Sequence, residues 1–298
     1  MSRPPPRPIF VHHGFMGGVT SCALVNAENG KGILVGTGAG RCELYDAETH
    51  TLIRTVYVDE EKRAISSVGS FNGQIWVHIR NSMIVLLGPA DDVRISLKTA
   101  HCGYCKATIV GDFMVYPDAE NEEQYLRVVD MHSGDRNRIT LKHLPLSLTS
   151  IGGDIVVGDE AGTITRISVQ GEVEAEVSLC KDPIFCLAAT PSFLACGTSK
   201  PPLLLLPSAD IRGDRRKIDY PQSSRGVGAL AFSTSGKTLV AGFWDGSIRA
   251  YSVKNLTILV YLNLHTETIT QLLWGEVAGE ERLIAASQDE KLSLWKLK

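Results

Sequence analysis

Short runs of β-branched and aromatic residues, broken by Gly, Asp, Asn and Pro, recur along this chain at a nearly constant spacing. The last unit shows the layout best. "TITQLLW" (Thr268–Trp274), "RLIAAS" (Arg282–Ser287) and "KLSLWKL" (Lys291–Leu297) read as three strands, with "QDE" turning the chain before the third. The unit before it repeats the layout: "VGALAF" (Val227–Phe232), "KTLVAGF" (Lys237–Phe243), the turn "WDG", "SIRAYSV" and "TILVYLN" (Thr257–Asn263). Counting back, first strands start near Ile184, Ser147, Tyr104, Ala64 and Val19. Successive starts lie roughly 37 to 45 residues apart, which makes seven units of about four strands.

A four-stranded sheet cannot bury both faces alone, so such units stack as the blades of a propeller. The expected fold is therefore all-β, a seven-bladed propeller spanning 7–298, with 1–6 a disordered Pro-rich tail outside it. The last unit ends after its third strand, whereas "RPIFVH" (Arg7–His12) precedes the first. That piece is expected to supply the missing outer strand and so to close the last blade. Pro4–Pro6 stay outside because Pro cannot donate to a ladder.

The last blade carries a polar constellation. His265 precedes its first strand, Ser287 ends its second, Asp289 lies in the turn and Trp295 in the third. This resembles the hydrogen-bonded tetrad of the WD-repeat family, in which His, Ser or Thr, Asp and Trp tie a blade together. A buried indole N–H and imidazole need partners, and a carboxylate fixes the His tautomer. Asp289 and Trp295 are six residues apart. The same step from Asp245 reaches Tyr251, so Asp245 is a turn Asp and "WD" at Trp244–Asp245 is not the repeat-ending dipeptide. Tyr45–Asp46, Val129–Asp130 and Ile167–Ser168 hold that position in the first, third and fourth blades, and Ala39 and Ala161 replace the turn Asp in the first and fourth.

A narrower likeness covers Gly226–Leu297. Trp244, Asp245, Ile248, Arg249 and Tyr251 match a "GWD..IRV(F/Y)" blade. Leu264–His265 match a strand ending in "(A/K)(F/W)H", and Ala285–Ser287, Asp289 and Lys291–Trp295 match an "AAGSKD.(R/K)ISLW" segment. This segment resembles the G-protein β-subunit-like protein 1 family, called ASTRA-associated protein 1 in its fungal branch. Phe243 stands where that family has Gly, and Gln288 where it often has Lys. Upstream, "FMVYP" and "LRVVDMHSG" look like its third blade, and the other blades match as generic repeats. The chain's extent also suits that family, whose members are little more than a propeller.

The resemblance implies a non-catalytic scaffold whose partners are co-chaperone or chromatin-complex subunits. Such proteins are linked to maturation of phosphatidylinositol-3-kinase-related kinases and to chromatin remodelling. The alternative is a generic WD-repeat adaptor, such as a ubiquitin-ligase substrate receptor or a histone-tail reader. Phe243 and Trp244 are the candidate partner contacts, on the face bearing the second-to-third-strand turns; Trp244 either anchors a partner or packs under the adjacent blade's loop. A monomer within a larger complex is expected.

Other chemistries find little support. The net charge of −3, with 21% charged residues, gives no broad basic field, so direct nucleic-acid binding is not expected. No apolar run approaches membrane-spanning length, and the first residues lack the apolar stretch of a secretory signal. Seven scattered cysteines fit reduced thiols in cytoplasm or nucleus. "GTGAG" (Gly36–Gly40) precedes a strand rather than a helix, so it reads as a Gly-rich turn, not a dinucleotide loop. "HCGYC" offers His101, Cys102 and Cys105 without a second ligand pair, Cys180 and Cys186 being far downstream, so neither metal nor cofactor is expected. His265, Asp289 and Ser287 could form a catalytic group, but the tetrad likeness makes them structural. Arg212–Lys217 and the acidic Asp118–Glu123 read as solvated loops.

Overall fold

The structure is a computed structural model describing residues 6–27 and 30–297. Most of the proposed tail therefore lies outside the described residues; Pro6 is exposed and not in a strand. The described residues form seven four-stranded antiparallel sheets and one 3-10 turn, Gln222–Ser224.

Blade 1 is β2 (Val19–Ala27), β3 (Gly30–Thr37), β4 (Arg41–Asp46) and β5 (Leu52–Val58), and β1 (Phe10–His13) precedes it. Blade 2 is β6 (Ile65–Phe71), β7 (Gln74–Ile79), β8 (Met83–Leu87) and β9 (Val93–Lys98). Blade 3 is β10 (Thr108–Val110), β11 (Phe113–Glu120), β12 (Glu123–Asp130) and β13 (Arg136–Leu141). Blade 4 is β14 (Pro145–Ile151), β15 (Asp154–Asp159), β16 (Thr163–Ile167) and β17 (Val173–Ser178). Blade 5 is β18 (Ile184–Ala189), β19 (Phe193–Thr198), β20 (Leu203–Pro207) and β21 (Arg216–Ile218). Blade 6 is β22 (Val227–Phe232), β23 (Thr238–Phe243), β24 (Ile248–Ser252) and β25 (Ile258–Leu262). Blade 7 is β26 (Ile269–Val277), β27 (Glu280–Ser287) and β28 (Lys291–Trp295), completed by β1.

The first strands match the sequence expectation except in blade 3, where β10 starts at Thr108 rather than near Tyr104. The acidic segment is a solvated turn only at its tip, where Glu120–Glu123 are exposed. β11 and β12 run through it and leave Asn121–Glu122 as the turn, with Asp118 only 6% exposed. Arg127 pairs with Asp118, and Arg138 with Glu120 and Glu123, so the strands tolerate the charge.

β1 lies antiparallel on β28, with Phe10 opposite Leu294, Val11 opposite Ser293, His12 opposite Leu292 and His13 opposite Lys291. The described contacts divide the chain into two compact units. One is Met1–Ile79, Ile84–Ser96 and Gly228–Lys298; the other is Arg80–Met83 and Leu97–Val227.

Within each unit, successive blades meet through the same device. A glycine near the end of one blade's second strand leaves room for the β-branched residue that opens the next blade. A Cβ on Gly36 would meet Ile65, one on Gly242 would meet Ile269, and one on Gly158 would meet Ile184. A hydroxyl adds a bond across the seams of blades 1 and 2, 7 and 1, and 4 and 5: Thr20 Oγ1 donates to the Ile65 carbonyl (2.5 Å), Thr270 Oγ1 to that of Val19 (2.5 Å) and Ser147 Oγ to that of Ile184 (2.8 Å). Apolar clusters fill the space behind. Ile33, Val35, Ile284 and Leu294 join blades 1 and 7, and Val240, Ile248, Leu283 and Trp295 join blades 6 and 7.

The same packing explains "GTGAG". A Cβ on Gly38 would run into the carbonyl oxygen of Gly17, and Gly38 N donates to the Gly18 carbonyl (3.0 Å). The loop from β1 to β2 is thus pressed against the β3–β4 turn. On the other side of this loop, Gly17 N donates to Glu290 Oε1 (3.2 Å) and Phe15 N to the Glu290 carbonyl (3.3 Å).

Candidate functional site

Blade 7 holds the one extended side-chain relay among the expected site residues. His265 Nδ1 lies 3.0 and 3.1 Å from the two Asp289 oxygens, and its Nε2 lies 2.7 Å from Ser293 Oγ. Trp295 Nε1 donates to the same hydroxyl at 2.7 Å. The carboxylate can only accept, which places the imidazole proton on Nδ1. Nε2 then accepts from the Ser293 hydroxyl, which accepts from the indole. Every donor in the chain Trp295–Ser293–His265–Asp289 has an acceptor.

Ser287 is outside this relay. Its hydroxyl donates to the Glu267 carbonyl (3.0 Å) and accepts from Asp289 N (3.2 Å). The serine that joins His265 to Trp295 is Ser293. The reason is strand parity: residues two apart on a strand share a face, so Ser293 stands beside Trp295 on β28. Ser287 instead holds the position two before the turn residue. Thr37 and Asp159 hold it in blades 1 and 4, where Thr37 Oγ1 accepts from Arg41 N (3.2 Å) and Asp159 Oδ1 from Ala161 N (2.9 Å) and Thr163 N (2.8 Å). Sequence reasoning missed this capping position; the polar residues two places before the turns of blades 1, 4 and 7 were its signal.

The relay is sealed. The His265 side chain is 0% exposed and that of Asp289 4%. Burial holds the imidazole below its ordinary pKa, although the Asp289 bonds oppose the shift, so the ring is neutral. Burial alone would raise Asp289, but bonds from His265, Lys291 and Thr266 N hold it below the usual carboxylate range. A solvent-borne substrate has no path to this imidazole; its geometry suits a tie between layers.

In blade 6, Asp245 is a turn residue whose Oδ1 accepts from Ser247 N (2.9 Å) and Ser247 Oγ (2.6 Å). No His faces it, and Tyr251, at the Trp position, is buried with its hydroxyl unpartnered. The end-of-strand residues Asp46 and Asp130 cap the following turns. Asp46 accepts from Glu48 N and Thr49 N (2.9 and 2.7 Å), and Asp130 from His132 N and Ser133 N (2.8 and 3.0 Å).

The paired contact expected of Phe243 and Trp244 divides. Phe243 is 0% exposed, with the Arg249 guanidinium 4.4 Å from its ring centre, and cannot touch a partner. It is the last residue of β23, and strand alternation turns it into the packed interior while Trp244 leaves the strand. Trp244 is half-buried. Its ring passes near Gly228 of its own blade, its carbonyl accepts from Thr268 Oγ1 at 3.5 Å in the segment leading into β26, and the side chain keeps an open side next to exposed Asp245.

The remaining sequence candidates are accounted for locally. Cys102 is exposed whereas His101 and Cys105 are buried. Arg80 donates twice to the Cys102 carbonyl (3.1 and 2.9 Å) and lies 4.2 Å from the Tyr104 ring centre. Among the described residues no three His, Cys, Asp or Glu side chains come together as a metal would require. Arg212–Lys217 is not simply solvated. Arg215 donates to the Leu179 and Ser178 carbonyls (3.1 and 3.3 Å), tying its loop to the end of blade 4. No helix among the described residues is long and apolar enough to cross a membrane.

Comparison with known proteins places this geometry in a class. The family model for the WD40 domain of anaphase-promoting complex subunit 4 matches residues 216–277, the stretch holding β21, blade 6 and β26. The solved structure of the computationally designed Ika8 protein aligns over 95% of this chain and 98% of that one, with a TM-score of 0.70 and 12% identity. At that identity the likeness is one of fold. The chain is a seven-bladed WD-repeat β-propeller whose N-terminal strand closes the last blade.

Proposed function

We propose that this propeller is a protein-binding scaffold, and that partners dock on the second-to-third-strand turns of blades 6 and 7. The observation that carries the reading is Trp244. It is a large aromatic with an open side, fixed on a turn whose backbone is already satisfied, so little freedom is lost on binding. The sealed relay of blade 7 supports a non-catalytic role, because its imidazole serves the fold and not a substrate.

Within that class, the likeness of Gly226–Leu297 to the ASTRA-associated WD-repeat proteins favours co-chaperone or chromatin-complex subunits as partners, in cytoplasm or nucleus. The chain then acts as a monomer inside a larger assembly and binds no nucleic acid directly. Affinity purification with wild type and Trp244→Ala tests both levels. Recovery of kinase-maturation co-chaperones, lost on substitution at unchanged protein yield, supports the reading. Recovery of ligase subunits or histones alone removes the ASTRA-like assignment. Identical partners from both proteins remove Trp244 as the anchor.

A further inference from the structure

β1 is the shortest route by which blade 7 could open, having four residues and one neighbouring strand. It is also where imidazoles gather. His12 is 7% exposed and stands edge-on to Tyr45 (4.8 Å, 67°), Phe10 (4.7 Å, 70°) and His50 (5.9 Å, 83°). His50 sits in the β4–β5 turn with φ 61 and stacks on Phe10 at 4.2 Å. His12 Nε2 and His50 Nδ1 are both buried without a hydrogen-bond partner.

The charges that act on His12 are two imidazoles, His50 and His13, while the carboxylate of Asp46 acts on His50 and favours its proton. On β1 itself stands His13. From blade 1, Asp46 is engaged by Glu48 N and Thr49 N, and Glu43 by Arg41 and Tyr45. From blade 7, Lys291 faces His13 across the ladder and pairs with Asp289, while Glu290 receives Gly17 N. A proton on His12 would therefore enter an aromatic nest already flanked by two imidazoles, with no carboxylate among the charges that act on it.

We propose that β1 is an acid-released latch: protonation of the buried His12, reinforced by His50, detaches β1 from β28 and bares that strand's edge while blade 6 stays folded. The sign follows from linkage. Burial, then His50 and His13, hold His12 down to about 4 from 6.5, so the docked strand excludes a proton that the released strand accepts. Docking is unaffected above pH 6.5 and weakens as pH falls from there toward 4. Between pH 7.5 and pH 5 the ratio of released to docked strand should rise about 30-fold.

Amide hydrogen exchange on the full chain, corrected for intrinsic rates, tests this. Protection at those amides of Phe10–His13 and Lys291–Leu294 that bond across the β1–β28 ladder should fall about 30-fold over that interval, while Val240 and Ala250 in blade 6 keep theirs. His12→Phe should keep protection at pH 7.5 and lose the acid response; His12→Gln, which cannot titrate, serves if the phenylalanine variant does not fold. Equal loss of protection in β1 and blade 6 overturns the proposal. So does an acid response that persists in the non-titrating variant.

Discussion

Replacing Ser293 by Ala tests which serine carries the blade-7 relay. The substitution removes one hydroxyl yet strands two buried groups, the Trp295 indole N–H and His265 Nε2, each 2.7 Å from that oxygen. A buried polar group left without a partner costs about 1–3 kcal/mol, so the pair gives about 2–6 kcal/mol of lost stability. Ser287→Ala removes a bond to the Glu267 carbonyl and one from Asp289 N, both partly buried at the strand end. That should cost about 1 kcal/mol. Urea unfolding followed by intrinsic fluorescence reads the difference, provided the slope with denaturant is unchanged. If Ser287→Ala destabilises as much as Ser293→Ala, or Ser293→Ala costs under about 1 kcal/mol, the unidirectional relay is wrong.

Three further outcomes follow from the same geometry. Gly242→Ala places a Cβ 2.6 Å from that of Ile269 and should cost about 1–3 kcal/mol in a thermal or urea melt. Alkylation of the native protein should modify Cys102 first, since it alone of the seven cysteines is exposed, while burial raises the thiols of Cys42, Cys105, Cys186 and Cys196; mass spectrometry after a short pulse gives the order. Stability should decline as pH falls below 6.5, because burial depresses His12, His50, His101 and His265 and folding then excludes their protons. His12 alone contributes about 2 kcal/mol of that loss by pH 5, visible as a falling urea midpoint between pH 7 and 5.

Much of the architecture was legible before any coordinates. The seven-fold period, the short strands and the piece that completes blade 7 are local facts, because a strand's alternation and the turns that bound it are written in adjacent residues. His265, Asp289 and Trp295 were legible too, since each belongs to a recurring layout. What stayed hidden depends on side-chain direction and on contacts between segments distant in the chain. Ser287 and Ser293 are equally plausible as letters; only strand parity shows that Ser293 shares a face with Trp295. Phe243 and Trp244 are neighbours in sequence, yet the end of β23 buries one and leaves the other half open.

The glycines make the same division. From the sequence, "GTGAG" is a flexible Gly-rich turn and nothing more. The tertiary structure shows Gly36 making room for Ile65 and Gly38 lying against Gly17, residues that no local pattern connects. How many blades form, and where all but the third begin, was legible from the sequence alone. Which side chains tie them, which face partners, and why His12 lies buried without a counter-ion were decided by packing between blades, because burial and hydrogen-bond satisfaction belong to pairs of segments and not to either one alone.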